Sequence, residues 1–383
     1  QHLGMTGTST GVLLSAFFWG YVITQIPGGW VSNRFGAKRV IITCLLGVCA
    51  TGLLTGIVEN YRLLLAVRFL MGLFEGVIWP SFAVVIMRWF PASERSRAVN
   101  LAQYVLPLSS ALMAPIAGWM IYDFGWKAMF LLQAAPVFLL ALAWLILGSS
   151  TPEQDRRLGD EERQLILSTR ERETALPSSL GEVFRMPVLW GLCLAYFLWM
   201  TGFYGFGLWL PTLIRQLSAE GVGSVALLTA LPFAFAVVGL YVNATWADKA
   251  HHSRAWHFII PLTIGGLAML AQNALHPTLF VSMVLLVVTG VSLISGIGVW
   301  WAWALGMVPR NQVGPSAGMI NFLGNFGGIV GPIVVGMAAG AGGSMSGSFH
   351  VVGYALLGSA LVNLLVWLSS RTSQPSVTVA AAH

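Results

Sequence analysis

The sequence predicts an all-α membrane protein, and three observations carry that prediction. Of 383 residues, 56% are hydrophobic and only 9% are charged, against about 25% charged in soluble domains. The apolar residues fall in runs long enough to cross a bilayer as helix, which takes about 20 residues. These runs far exceed the ten-residue alternating strands of a membrane barrel. Sixteen Trp and 43 Gly supply residues that settle at headgroups and residues that let helices approach closely. A soluble enzyme, a disordered chain and a disulfide scaffold are excluded.

Eleven spans are expected, at 8–32, 38–58, 61–90, 96–122, 126–148, 187–214, 222–247, 256–275, 277–307, 311–340 and 347–369. The first carries Tyr21 and Gln25 and ends in a basic loop. The second carries Cys44 and Cys49. The third, at 61–90, exceeds the bilayer thickness, so it should tilt or project, and it carries Arg68 and Glu75. The fourth holds Gln103, Tyr104 and Pro115, and the fifth follows closely. Residues 149–186 form the one long polar stretch, read as a linker with a short amphipathic helix. The sixth span carries Cys193. The ninth, at 277–307, is again overlong and holds Trp300, Trp301 and Trp303. The tenth holds Asn321, Asn325 and Pro332. This divides the chain into 1–148, the linker 149–186, and 187–383.

Charge placement fixes the orientation. Of 20 Lys and Arg, sixteen fall on one side of this map, and only Arg62, Lys127 and Arg215 fall on the other, with Arg68 inside. The positive-inside rule makes the first side cytoplasmic, with the C-terminus and linker there. The net charge of +6 is then topology, not a nucleic-acid surface. An odd number of spans with an external start leads us to expect one further helix before residue 1.

Catalytic and cofactor signals are lacking. The three Cys lie inside apolar runs as structural thiols, and most His lie in loops or at ends, so neither a metal site nor a disulfide framework is expected. None of the three Lys follows a Gly, so there is no phosphate-binding loop of the GxxxxGK[ST] type and no expected ATP hydrolysis. No cofactor is expected.

The two halves resemble each other at an offset of about 215–218: Gly29–Arg34 matches Ala244–Lys249, and Pro115 matches Pro332. Same-direction repeats are one plan for transporters. The stretch GGWVSNRFGAKRV (28–40) resembles the loop signature of the major facilitator superfamily, with Gly29, Arg34, Gly36, Lys38 and Arg39 matching. Asn33 stands where most members have Asp; it can cap a helix but cannot join a charge relay. Asp248 keeps the acid in the second half. SAFFWGYVITQIPGGW (15–30), RFLMGLFEGVIWP (68–80), WFPASERSRAV (89–99) and GMINFLGNFGGIVGP (318–332) are similar to the anion:cation symporter family. That group includes bacterial sugar-acid, tartrate and phthalate permeases and vesicular glutamate and sialic-acid carriers. The resemblance implies two six-helix bundles, the first helix lacking here together with its Asp-Arg pair.

Arg68 and Glu75 are the ionisable residues placed deep in a span, where an uncompensated charge costs at least ~2.5–3.5 kcal/mol. Seven residues turn a helix to within about 20° of two turns and advance it about 10.5 Å, so both point the same way. Gly72 between them is expected to leave space for a substrate; a charge pair holding the bundle together is the other reading. Burial makes Glu75 a proton carrier, and Arg68 offers a planar fork to a carboxylate. The resemblance implies the same roles. Tyr21 and Gln25 share a face, and Gln25 is read either as a ligand or as interhelical glue. The resemblance also implies that Tyr21, Trp301 and Asn321 meet the substrate, with Asn325 bonding a neighbouring helix and Trp303 in the interfacial belt. Leu106 stands where sugar-acid carriers carry a polar residue, which suggests a more apolar acid. Asn33, Arg34, Lys38, Arg39 and Asp248 form the expected gating loops.

The expected function is secondary transport of a small organic carboxylate, imported with protons by alternating access, by a monomer in a bacterial inner membrane. Its partners are the anion, protons and the lipid bilayer. An organic-anion exchanger, a sugar-phosphate antiporter and a non-transporting receptor are the alternatives. The antiporter is disfavoured because 187–214 contains no Arg.

Overall fold

A computed structural model of the chain describes residues 6–90, 92–155, 157–171, 184–218, 221–249, 254–275, 278–309, 312–342 and 348–372. The side chain of Gln103 and linker residues 172–183 lie outside the described residues.

Helix α1 (Gly7–Phe35) starts where the Thr6 hydroxyl accepts from the Ser9 amide, satisfying a donor that the first turn leaves open. It ends at Gly36, whose φ of 87° is one that glycine adopts without a Cβ clash. Helix α2 (Ala37–Ile57) returns. Asn60 then caps α3 (Tyr61–Trp89) by accepting from the Arg62 and Leu63 amides. Helix α4 (Ala92–Leu147) is two legs that meet at Gly125, where φ is 81°; the legs are the expected fourth and fifth spans. A short turn, Pro152–Gln154, and α5 (Asp160–Glu171) follow in the linker.

The second half comprises α6 (Pro187–Ser218), α7 (Val222–Lys249), α8 (Trp256–Leu275), α9 (Leu279–Ser295), α10 (Ile297–Gly306), α11 (Val313–Asn325), α12 (Gly327–Gly342) and α13 (His350–Thr372). Two expected spans are broken. The ninth divides at Gly296 into α9 and α10, where Asn243 Nδ2 donates to the Ser295 carbonyl (3.0 Å) and to the His257 carbonyl (2.7 Å). A side chain that engages the helix's own carbonyls is a usual cause of a kink. The tenth divides at Phe326 into α11 and α12. Among the described residues, nine helices are long and apolar enough to cross a membrane. Counting both legs of α4 and the shorter α8 recovers the eleven expected segments.

Helices α1 and α3 pack side by side through three glycines. A Cβ on Gly20 would lie 2.1 Å from the Phe69 carbonyl oxygen, one on Gly72 1.9 Å from that of Phe17, and one on Gly76 2.3 Å from that of Tyr21. Such close approach is how helices gain contact where apolar burial alone drives nothing. Helix α2 packs on α4, and α6 sits at the centre of the second group, against α11, α12 and α13. Its Trp199, Leu210, Leu213 and Ile214 are fully buried.

The two bundles meet along two seams, α1 on α12 and α4 on α7. These seams are counterparts under the internal repeat, since Pro115 lies on α4 and Pro332 on α12. On the side away from the basic loops the seams are closed. A Cβ on Gly11 would lie 2.6 Å from the Pro332 oxygen, one on Gly336 2.5 Å from the Gly7 oxygen, and one on Gly118 2.1 Å from the Ala226 Cβ. Toward the basic side, Gly29 on α1 and Gly314 and Gly318 on α11 have no atom of another described element within 4 Å of where a Cβ would stand.

The linker is tied to the first bundle. Ser150 Oγ accepts from the Lys38 amide at 3.1 Å. Arg157 forks onto Asp155, Nε to Oδ1 at 3.0 Å and Nη2 to Oδ2 at 2.9 Å, and also donates to the Leu147 carbonyl. Hydrogen bonds from the Arg157 side chain and amide hold the Asp155 carboxyl well below the usual carboxylate range.

Candidate functional site

Helix α3 presents Arg68 and Glu75 on one face, both half-buried. Among the ion pairs of the described residues none joins them, though each lies in the other's electrostatic field. The Arg68 guanidinium sits 5.6 Å over the Phe130 ring on the second leg of α4, a cation–π arrangement that offsets part of its desolvation. One expectation fails here. Gly72 does not open a space between the two charges, because the α1 backbone at Phe17 fills it. Gly72 and Gly76 face α1, and the two charged residues flank that seam.

Helix α1 brings Tyr21 to the level of Gly76, within the field of Glu75. Gln25, one turn on, is buried; its amide engages the Tyr21 hydroxyl of the same helix, and among the described residues no hydrogen bond joins it to another helix.

The second bundle contributes aromatic and amide groups. Tyr196 and Tyr204 lie on α6, Trp300 and Trp301 on α10, and Asn321 and Asn325 on α11. Tyr196 stacks on Trp300 at 4.9 Å and 14° and meets Trp301 edge-on at 5.2 Å. Trp300 is fully buried, with its Nε1 donating to Asn363 Oδ1 at 2.7 Å. Trp301 and Asn321 are half-buried. Asn325 Nδ2 donates to Asn321 Oδ1 at 3.2 Å, and the Tyr204 hydroxyl donates to Asn325 Oδ1 at 3.3 Å, so Asn325 does bond a neighbouring helix. Trp303, half-buried, packs against Phe258 at 4.9 Å.

The two bundles touch beside this group, where the Phe18 and Tyr204 rings lie 4.4 Å apart. Tyr204 lies in the fields of Tyr21, Tyr196 and Glu75. The structure thus brings Tyr21, Glu75, Trp301 and Asn321 to one interbundle region, with Arg68 coupled to Glu75. Sequence reasoning missed Tyr196, Tyr204 and Phe130; buried tyrosines on an otherwise apolar span were the available signal. It also missed His257, which is buried in the first turn of α8, with Nδ1 2.9 Å from Asn243 Oδ1.

The residues expected to gate stand apart from this region. Asn33, Arg34, Arg39 and Asp248 are exposed at the basic ends of helices. Asn33 caps no helix: Gly36 holds that position, and Asn33 Oδ1 accepts from Arg88 Nη2 at 3.0 Å. Lys38 acts through its amide on Ser150. Among the described residues no group of three His, Cys, Asp or Glu is placed to hold a metal.

Chemically, the region offers a fixed cation, a carboxyl outside any ion pair among the described residues, aromatic faces and three side-chain amides, beside the seams where the two bundles meet. Residues 1–332 match the model of the Major Facilitator Superfamily. Over 394 residues the chain is 29% identical to a putative tartrate transporter of Agrobacterium vitis, covering 100% of this chain and 86% of that protein. It is 30% identical to the probable galactarate/D-glucarate transporter GudP of Bacillus subtilis (strain 168), covering 96% and 85%. Among solved structures, a D-xylose-proton symporter superposes with a TM-score of 0.76 at 15% identity, covering 95% of this chain and 89% of that one. The helical fold, the paired seams and the family match agree: this chain belongs to the major facilitator superfamily and is a membrane transporter rather than an enzyme.

Proposed function

We propose that the chain is a secondary carrier that imports a small organic carboxylate together with protons. The observation that carries this reading is the pair on α3: a permanent cation and a carboxyl on one face, unjoined by an ion pair, beside the gap between the bundles. Arg68 binds the carboxylate of the substrate, and its planar fork suits that group. Glu75 carries the proton. Tyr21, Gln25, Trp301 and Asn321 complete the binding region. The names of the relatives, transporters of tartrate and of galactarate and D-glucarate, support a carboxylate substrate.

The carrier sits in a bacterial inner membrane as a monomer, with its basic loops, linker and C-terminus cytoplasmic by the positive-inside rule. The bundles 1–148 and 187–383 rock about the site. The closed glycine contacts at Gly7, Gly11 and Gly118 form the outer seal, so the described state opens to the cytoplasm. In the opposite state the basic end of α1 swings onto α11, and Gly29 meets Gly314 and Gly318. Asn33, Arg34, Lys38, Arg39 and Asp248 steer that closure. A mid-membrane charge is costly, so the loaded carrier crosses with Glu75 neutral and Arg68 neutralised by the anion.

The test is uptake by proteoliposomes holding the full chain, with tartrate, D-glucarate, benzoate, a neutral hexose and a hexose phosphate. Accumulation of at least one carboxylate, driven by an inward proton gradient and blind to the hexose, is expected. Uptake of the hexose or hexose phosphate alone would overturn the reading.

A further inference from the structure

We propose that Asn243 and Asn363 are positioning residues of the binding region. Both are buried. Each ties the short helix α10 to the frame behind it, and α10 carries Trp301. Their effect on binding rests on the carboxylate reading above; the ties themselves do not.

Helix α10 is a detached piece of ten residues. A helix that short is marginal on its own, so its pose depends on what it is fastened to. Apolar packing holds it in place without direction, whereas hydrogen bonds fix its rotation.

The first tie is at its start. Helix α9 ends at Ser295, and the last carbonyls of a helix have no donor within it. On α8, Pro261 has no N–H, so the His257 carbonyl one turn earlier lacks its helical donor as well. Asn243 serves both. Its Nδ2 donates to the Ser295 carbonyl at 3.0 Å and to the His257 carbonyl at 2.7 Å. Its Oδ1 can only accept, so the His257 Nδ1, 2.9 Å away, carries the proton between them. One side chain thus joins α7, α8 and α9 where α10 begins. The junction has no slack: a Cβ on Gly296 would lie 2.8 Å from the Phe258 Cβ and 3.0 Å from the His257 oxygen.

The second tie is at the Trp300 ring. Its Nε1 donates to Asn363 Oδ1 at 2.7 Å, Asn363 Nδ2 donates to the Ser359 carbonyl at 3.0 Å, and Ser359 Oγ donates to the Ala195 carbonyl at 2.8 Å. This chain of bonds runs from α10 through α13 to α6. It ends beside Tyr196, the ring on which Trp300 stacks, and both rings brace Trp301 at 5.2 Å. Trp301 turns with α10, so its orientation is set from behind.

The experiment uses the full chain in lipid nanodiscs. The probes are tartrate, D-glucarate and benzoate, and hydrogen–deuterium exchange of 297–306 supplies a measurement without ligand. Asn363→Leu and, independently, Trp300→Phe remove the second tie; Asn243→Leu removes the first. Each should speed exchange across 297–306 by about tenfold and weaken the best-bound acid by about tenfold. In a Trp301→Ala background, itself weaker in binding, the same variants should cost no further affinity, because their effect passes through that ring. Pro261→Ala returns a backbone donor to the His257 carbonyl. It should therefore recover thermal stability in Asn243→Leu without recovering affinity, since the Ser295 carbonyl still lacks Asn243. Unchanged exchange in all three variants, full affinity in Trp301→Ala, or losses as large with Trp301→Ala as without it would overturn the inference and leave the carboxylate reading standing. If no acid binds the wild type, the carboxylate reading falls, and exchange alone decides whether the ties hold α10.

Discussion

Arg68 carries a charge into the span with a phenyl ring, not a carboxylate, as its near neighbour. The Phe130 face offsets only part of its desolvation, and under the proposed function the carboxylate of the substrate supplies a further partner. Arg68→Lys keeps the charge but loses the fork, and uptake should fall at least tenfold, about 1.4 kcal/mol; normal transport by both Arg68→Lys and Arg68→Ala would make the residue structural. The reading of Gly72 shows where sequence reasoning stops. A missing side chain marks either a cavity or a close neighbour, and only the fold could reveal that the Phe17 carbonyl fills the place. Asp155 differs in being outside the membrane. Arg157 holds its folded pKa below the ordinary value, so the stability it contributes is present above the usual carboxylate pKa and is lost only as pH falls through the lower folded value. Linker proteolysis should therefore be unchanged from pH 8 to 5 in the wild type and faster at every pH in that range in Asp155→Asn.

Helix boundaries were legible because the bilayer sets a length and forces every backbone group into a helix. All eleven expected spans have counterparts. The breaks at Gly296 and Phe326 were not legible, since they depend on partners distant in sequence. Asn243 reaches across from α7 to Ser295, and Gly327 is pressed against the α6 backbone at Thr201. The seams give the sharpest prediction for whole helices. Gly11→Leu places a side chain where a Cβ alone would lie 2.6 Å from the Pro332 oxygen. It should hold the outer seal open, abolish uptake and expose a cysteine introduced at Tyr204 to an impermeant reagent added outside. Gly29→Leu meets open space in the described state and should instead trap that state, with labelling from the cytoplasmic side only. Identical labelling in the two variants would remove the seams from the gating cycle.

Taken as a whole, the molecule packs its two bundles tightly along the seams on the side away from the basic loops. The repeat was visible in Pro115 and Pro332 because equivalent helices do equivalent work at the two seams. The site was legible only in part: polar residues in apolar spans drew attention to Arg68, Glu75, Tyr21 and Asn321. Their neighbours Tyr196, Tyr204 and Phe130 came into view only through contacts between helices. Coupling is the central claim, and it concerns one exchangeable proton. The most direct test records proton and carboxylate entry together in proteoliposomes, for the wild type and for Glu75→Gln, which fixes the neutral form. Protons should enter with the anion in the wild type. In Glu75→Gln anion exchange should persist while proton entry and gradient-driven accumulation vanish. Wild-type proton entry and accumulation in the Gln variant would contradict the account.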